Sequence, residues 1–170
     1  MTAETHTEGT DELLDVDADL GDEYLTFSLA HEEYGVDILR VREIRGWEAV
    51  TRVPNSPDYV KGVLNLRGAI VPVIDLRVRF NLPVEEYTSL TVVIVLAVED
   101  KDDGREKTIS VVVDEISDVV KAKLSDIQTT PKFGSALDTE YISGIADAGG
   151  KMLMLLDIDT MLRVSEMNQH

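Results

Sequence analysis

The 170-residue sequence contains no cysteine and only three histidines, at positions 6, 31 and 170. The absence of cysteine excludes disulfides and thiolate metal sites, which is typical of a cytoplasmic protein. None of the histidines has a second potential ligand at metal spacing, so the sequence predicts neither a metal site nor a catalytic histidine. The glycines lack the Lys-Ser/Thr pair of a phosphate loop, and we expect no cofactor.

Long apolar runs and positive charge are also scarce. No run of 18 apolar residues occurs, and the N-terminus lacks a basic region followed by an apolar stretch, so we expect no membrane insertion and no signal peptide. The chain has 16 Lys and Arg against 33 Asp and Glu, a net charge of −17. Without a basic patch to neutralise phosphates, nucleic-acid binding is disfavoured.

The negative charge is concentrated at the N-terminus. Residues 1–23 hold nine acids and no Lys or Arg, which leaves a net charge of −8 on the rest of the chain. We interpret residues 1–22 as a solvated, disordered tail, with a functional acidic arm as the alternative. The sequence predicts one domain over residues 23–165, followed by a short tail at 166–170.

The domain has the patterns of an all-β protein with minor α structure. Leu25, Phe27 and Leu29 alternate with polar residues, as in a strand with one buried face. The run TVVIVLAV at Thr91–Val98 predicts a strand buried on both faces. Asp157–Val164 predicts a C-terminal helix with Asp157 as its N-cap.

A repeat is hidden in the sequence, because a shift of 82 residues aligns Tyr59–Phe80 with Tyr141–Leu162 without a gap. The identities are Tyr59/Tyr141, Gly62/Gly144, Gly68/Gly150 and Asp75/Asp157. We interpret Gly62, Gly68, Gly144 and Gly150 as turn residues and the two aspartates as helix caps. Each unit is too small to bury its own core. The repeat therefore predicts two small β-barrel lobes, over about 24–84 and 88–162, with strand exchange between them left open.

A few side chains have a second interpretation. Asp75 and Asp157 could instead be paired carboxylates of a hydrolase, although N-capping explains both with one mechanism. Glu43 and Arg67 are interpreted either as ordinary surface charges that form a weak ion pair or as a binding pair. Periodicity does not distinguish these alternatives.

Four runs of sequence together resemble the CheW family of chemotaxis coupling proteins. They are EEYGVDILRVREIRG (Glu32–Gly46), VTRVPNSPDYVKGVLNLRGAIVPVIDLR (Val50–Arg77), TVVIVLAV (Thr91–Val98) and VVVDEISDVV (Val111–Val120). The resemblance extends over residues 23–162, and GVLNLRGAIVPVIDL is its most specific part. Ser110 stands where the pattern usually has glycine, and the charged loop Glu99–Lys107 is longer than is typical.

The resemblance implies two intertwined five-stranded SH3-like β-barrels with short helical turns and a C-terminal helix. It implies a cytoplasmic adaptor without catalytic activity, positioned at the membrane-associated chemoreceptor array. The implied partners are the regulatory domain of the histidine kinase CheA, the cytoplasmic tip of chemoreceptors, and other CheW copies in rings.

The resemblance also implies a set of partner-binding residues. Glu43 and Arg67 match the polar pair at the family's interaction surface. The other matching positions are Val41, Gly62, Thr91 and Val92, with Ile116 and Val119 in the second lobe. Which partner each residue contacts stays open, and several could act through folding.

Two related interpretations also stay open. A CheW-like adaptor of a pilus or surface-sensing pathway would have the same sequence pattern. A CheW-like module of a larger protein such as CheV or CheA is disfavoured, because no receiver domain or ATP-binding motif follows His170.

Overall fold

The computed structural model describes residues 22–84, 86–128, 141–148 and 150–163, and most of them lie in β-strands. The tails predicted at the two ends lie outside the described residues, except for Asp22. The strands are β1 (Asp22–Leu29), β2 (Glu32–Asp37), β3 (Val41–Gly46), β4 (Val60–Leu66), β5 (Ala69–Asp75), β6 (Val92–Glu99), β7 (Glu106–Val113), β8 (Glu115–Ala122), β9 (Ile127–Gln128), β10 (Ile142–Ala148) and β11 (Lys151–Leu156). The helices are α1 (Leu76–Arg79) and α2 (Ile158–Met161), with 3-10 turns at Ile38–Arg40 and Leu124–Asp126.

The strands form two sheets that exchange chain segments. One sheet has five strands in the order β3-β6-β7-β5-β4, and the other has six in the order β8-β1-β2-β11-β10-β9. The sixth strand, β9, is only two residues long. The N-terminal strands β1 and β2 belong to the same sheet as β8–β11, so the chain intertwines the two sheets. The predicted fold class, all-β with two intertwined small barrels, is confirmed.

The two sheets have the same internal arrangement. The sequence of neighbours β3-β6-β7-β5-β4 corresponds to β8-β1-β2-β11-β10, and in each sheet only the third contact is parallel (β7 with β5, and β2 with β11). Each outer strand also carries one extra residue in a bulge, at Arg42 in β3 and at Ser117 in β8. The molecule is therefore a structural duplication that extends well beyond the segment where the sequence repeat is visible.

The visible repeat has the predicted geometry. Val60 lies opposite Ile74 in the first hairpin, and Ile142 lies opposite Leu156 in the second, with a bulge before Gly62 and before Gly144. In each copy the N–H of the capping aspartate donates to the tyrosine carbonyl at 2.8 Å, Asp75 to Tyr59 and Asp157 to Tyr141. The repeat is confirmed at the level of backbone hydrogen bonds.

A shared apolar core lies between the sheets, and each barrel adds a small core of its own. Phe27, Tyr34, Phe80 and Ile94 are among the buried residues of the shared core. The Arg79 guanidinium lies 4.8 Å from the ring centres of both Tyr59 and Tyr141, so one cation contacts the equivalent tyrosines of both repeats. In the part of the chain that the structure describes, no helix is long and apolar enough to cross a membrane.

Helix α2 is fixed to the five-stranded sheet by the Asp159 carboxylate. Arg40 donates to both carboxylate oxygens at 2.9 and 2.8 Å, and the Glu99 N–H donates to Oδ1 at 2.8 Å. Burial disfavours the charged carboxylate, but these hydrogen bonds outweigh burial and hold the pKa of Asp159 below its ordinary value of 3.8. The interaction joins residues 119 positions apart in the chain.

This network predicts part of the acid sensitivity of the fold. Because the folded state lowers the pKa of Asp159, its contribution to stability is complete at neutral pH. It is lost as the pH falls below about 4, through the folded-state pKa. We expect Asp159→Asn to lower the free energy of unfolding at pH 7 by about 1–3 kcal/mol. It should also flatten the loss of stability between pH 7 and acid. Urea titrations across this pH range test both effects, with the exposed Asp58→Asn as the control.

Candidate functional site

The bulge at Arg42 changes which side chains of the outer strand β3 share a face. Residues opposite each other in antiparallel strands share a face. Val41 lies opposite Leu96 and Ile44 opposite Ile94, whose side chains belong to the shared core. Beyond the bulge, Glu43 lies opposite Val95 and faces the barrel interior instead.

Glu43 and Arg67 are brought together at the mouth of the five-stranded barrel. Arg67 Nη1 lies 3.5 Å from Glu43 Oε2, and the side chains are 79% and 29% exposed. Arg45 Nε lies 4.0 Å from the other carboxylate oxygen. An exposed pair with this separation contributes less than about 1 kcal/mol to stability. Folding therefore does not require Arg67, and its guanidinium is accessible to another molecule.

A two-residue turn presents Arg67 at the tip of the β4–β5 hairpin. Arg67 has a φ of 52° and Gly68 has a φ of 90°, between the paired residues Leu66 and Ala69. Both angles are positive, as a type I′ turn requires. The Gly68 N–H donates to Asn65 Oδ1 at 2.8 Å. An arginine in this left-handed conformation is unusual, and Asn or Gly would fit the turn with less strain.

Gly62 is buried, in contrast to the residues that could touch a partner directly. It has a φ of 154°, and a Cβ atom at this position would lie 2.2 Å from the Thr51 carbonyl oxygen. Thr51 and Val63 exchange two backbone hydrogen bonds of 3.0 and 2.8 Å, which close the barrel between the β3–β4 connection and β4. The geometry therefore gives Gly62 a structural role in barrel closure.

Thr91 is also buried, whereas Val92 lies at the rim of the shared core. Thr91 is 3% exposed, and its Oγ1 accepts a hydrogen bond from the Thr88 N–H at 2.8 Å. Its carbonyl accepts the Trp47 N–H. Thr91 thus fixes the turn before β6, while the half-buried Val92 packs against the shared core.

The second outer strand, β8, repeats the apolar face of β3. With the two bulges aligned, Ile116 corresponds to Val41 and Val119 to Ile44. Ile116 and Val41 are both half-buried against the shared core, and the exposed fractions of Ile44 and Val119 are 45% and 44%. The polar position is also repeated, because Asp118 corresponds to Glu43. The chain therefore has two similar edges, on opposite sheets.

Sequence reasoning missed two exposed apolar residues of the five-stranded sheet, one on β3 and one on β5. Ile44 is exposed on β3, and Ile70 is 66% exposed beside the β4–β5 turn. The repeat equivalent of Ile70, Met152, is 64% exposed beside the second hairpin turn. The pattern apolar-x-acid-apolar occurs in both Val41–Ile44 and Ile116–Val119 and could have revealed the equivalence.

The two aspartates cap their helices, and Gly68 and Gly150 lie in turns, whereas Gly62 lies within β4 and Gly144 within β10 instead of in turns. Gly150 has a φ of 82° in the β10–β11 turn, and a Cβ on Gly144 would lie 2.7 Å from Ile127 Cγ2. The Asp157 carboxylate accepts the Thr160 N–H at the start of α2. The Asp75 carboxylate accepts the Arg77 N–H at the start of α1.

Asp75 lies in a buried ionic cluster that leaves no access for a substrate. Its side chain is 0% exposed, and Arg77 Nη2 lies 2.9 Å from Oδ2. The Tyr87 hydroxyl donates to the same oxygen at 2.9 Å. Burial, together with the Asp75 charge, raises the pKa of Tyr87. Among the described residues, no three His, Asp or Glu side chains are grouped as a metal ion would require.

Comparisons with known proteins agree with this architecture. The family model described as "CheW-like domain" matches residues 23–166. The chain is 47% identical over 148 residues to "Chemotaxis protein CheW" of Klebsiella aerogenes, covering 87% of this chain and 86% of that protein. It is 36% identical to "Chemotaxis protein CheW" of Bacillus subtilis, covering 84% and 87%.

A solved structure has the same fold. The scaffolding protein TtCheW from Thermoanaerobacter tengcongensis superposes with a TM-score of 0.75 at 29% identity, covering 86% of this chain and 90% of that chain. The family model spans all of the strands described above except Asp22, the first residue of β1. The chain therefore belongs to the CheW-like domain family of chemotaxis scaffolding proteins.

Proposed function

We propose that this protein is a chemotaxis adaptor that couples chemoreceptors to the histidine kinase CheA and has no catalytic activity of its own. The observation that carries the proposal is the pair of similar edges, β3 with Val41, Glu43 and Ile44, and β8 with Ile116 and Val119. Each edge combines an apolar strip with a carboxylate, and the two lie on different sheets. One rigid body with two such edges can hold two partners at once. The names of the relatives, chemotaxis and scaffolding proteins, agree with this role.

The proposed partners are the regulatory domain of CheA and the cytoplasmic tip of a chemoreceptor, with other copies of the chain as neighbours in a ring. The proposed location is the cytoplasm, at the receptor array. Partner binding at the β3 edge would bury Ile44 and engage the exposed Arg67 guanidinium. The apolar strip supplies most of the affinity, and the charged pair fixes orientation.

Substitution of the charged pair tests the β3 edge. We expect Arg67→Ala and Glu43→Ala each to weaken binding of at least one partner by roughly tenfold or more, because partner binding desolvates both charges. Arg67→Ala should retain a thermal midpoint close to that of the parent protein, since the ion pair is weak. Pull-downs with a CheA regulatory domain and a receptor fragment measure the effect.

Arg52→Ala is the matched control, because it removes one exposed cation from the β3–β4 connection without changing the pair. It should bind both partners like the parent protein. Unchanged binding in both Arg67→Ala and Glu43→Ala would reject the assignment of this edge.

A further inference from the structure

Two buried side-chain atoms in the described residues lack a hydrogen-bonding protein group, Glu43 Oε2 and Ser110 Oγ. Ser110 is 0% exposed, in the middle of β7. Native proteins almost always satisfy such atoms, with protein groups or with bound water. The occurrence of both atoms in one barrel therefore points to a shared ligand.

The register places Glu43 and Ser110 in a single row across the sheet. Glu43 lies opposite Val95, and Val95 lies opposite Ser110. All three side chains therefore share the interior face of the five-stranded barrel. Only the valine separates the carboxylate from the hydroxyl along this row, and the Ser110 hydroxyl is fully buried.

In the equivalent row of the other sheet, the buried hydroxyl is hydrogen-bonded to protein groups. Thr26 occupies the position of Val95, and its Oγ1 donates to the Asp118 carbonyl at 3.1 Å and accepts the Asp118 N–H at 3.0 Å. In that row the hydroxyl is thus bound directly to the bulged strand. In the five-stranded barrel the hydroxyl lies one strand further away, on β7, and cannot make this contact.

The residue equivalent to Ser110 in the other sheet is Gly35, which carries no side chain. Leu155 Cδ2 covers Gly35 and would lie 3.2 Å from a Cβ atom there. The residue equivalent to Leu155 in the five-stranded barrel is Val73, which is one methylene shorter. The five-stranded barrel therefore has a hydroxyl and a shorter apolar neighbour where the other sheet has a glycine covered by leucine.

We propose that a water molecule inside the five-stranded barrel bridges Ser110 to Glu43. It accepts the hydrogen bond of the Ser110 hydroxyl and donates to Glu43 Oε2, which satisfies both atoms. A cavity of about 170 Å³ lies one row along on the same face and is lined by Arg45, Leu64 and Val93 among others. A water molecule takes about 30 Å³.

Ser110 is then a positioning residue for Glu43. The water fixes the carboxylate oxygen that lies 3.5 Å from Arg67, so the charged pair is set from inside the barrel. This water site is a property of the unbound protein and does not depend on the adaptor role.

Magnetic relaxation dispersion of water on the unbound protein tests the proposal, because it counts long-lived internal waters. We expect Ser110→Ala and Glu43→Ala each to lose the signal of one such water. Thr26→Val is the matched control, since it removes an equivalent hydroxyl that is bound to protein groups. It should leave the number of long-lived waters unchanged.

Thermal unfolding supplies the second readout. Ser110→Ala should lower the midpoint by roughly 2–4 °C, because the water loses a partner. If Ser110 had no ligand, removal of a buried, unpartnered hydroxyl would raise the midpoint instead. An unchanged number of long-lived waters in Ser110→Ala, or a raised midpoint, would overturn the proposal.

Discussion

Gly62→Ala should destabilise the protein by about 3–5 kcal/mol, a large fraction of the stability of a domain of this size. The new Cβ would lie 2.2 Å from the Thr51 carbonyl oxygen and 2.8 Å from its carbon, in a backbone conformation that L-residues rarely adopt. Relief of this clash requires separation of Thr51 from β4, which breaks the two hydrogen bonds that close the barrel.

Urea unfolding of Gly62→Ala beside Gly46→Ala measures this effect. Gly46 lies at the exposed end of β3, and a Cβ there meets nothing within 4 Å. The control should therefore unfold within about 0.5 kcal/mol of the parent protein. Gly62→Ala lowers stability and does not remove a partner contact. Any weakening of partner binding in this variant should therefore be explained by the fraction of molecules that are unfolded. A folded Gly62→Ala that binds poorly would instead show that this position contacts a partner.

Arg77→Leu should cost about 3–5 kcal/mol, because it leaves a carboxylate uncompensated in the interior. The Arg77 guanidinium is 1% exposed and lies 2.9 Å from Asp75 and 3.0 Å from Asp114. Asp75 is fully buried, so its charge depends on this partner and on the Tyr87 hydroxyl. Burial of an unpaired charge is among the most destabilising changes a single substitution can make.

A double variant separates charge from packing at this cluster. Asp75→Asn removes the negative charge and keeps an oxygen that can accept the Arg77 N–H at the start of α1. In the Arg77→Leu background it should therefore recover part of the lost stability, as measured by thermal unfolding. Arg67→Leu, an exposed arginine of the same barrel, is the control and should change stability little. Additive losses in the double variant would argue against the unpaired charge as the cause.

The hairpins and caps were predictable from sequence because their signals are local. Gly68 supplies a positive φ in a two-residue turn, and Asp75 follows a buried strand and precedes a helical turn. Both signals recur 82 residues later with the same spacing. The repeated glycine turn and aspartate cap were therefore sufficient to predict the duplicated hairpin.

The faces of β3 were not predictable, because a bulge changes the side-chain alternation. Val41 and Ile44 are three residues apart, which would place them on opposite faces of a regular strand. The extra residue Arg42 puts both on the face that carries Leu96 and Ile94, and it turns Glu43 into the barrel. Nothing in the residue types marks Arg42 as the extra residue, and the sequence of this segment was equally compatible with a helical turn.

Two further positions have surroundings that depend on closure of the five-stranded barrel, which sequence patterns do not reveal. Gly62 and Thr91 were expected to bind partners, yet both are buried and contact other parts of the same barrel. The contact between Gly62 and Thr51 forms only when the connection after β3 returns to β4. A resemblance between sequences indicates that such positions matter, but it does not distinguish residues needed for folding from residues that bind a partner.

Sedimentation of the chain mixed with a CheA regulatory domain and a chemoreceptor tip fragment tests the central claim most directly. The two similar edges lie on different sheets, so we expect a ternary complex heavier than either binary complex. In that mixture, Arg67→Ala should lose at least one partner while it stays folded. If the parent protein binds neither partner, or if each partner displaces the other, the adaptor account is contradicted.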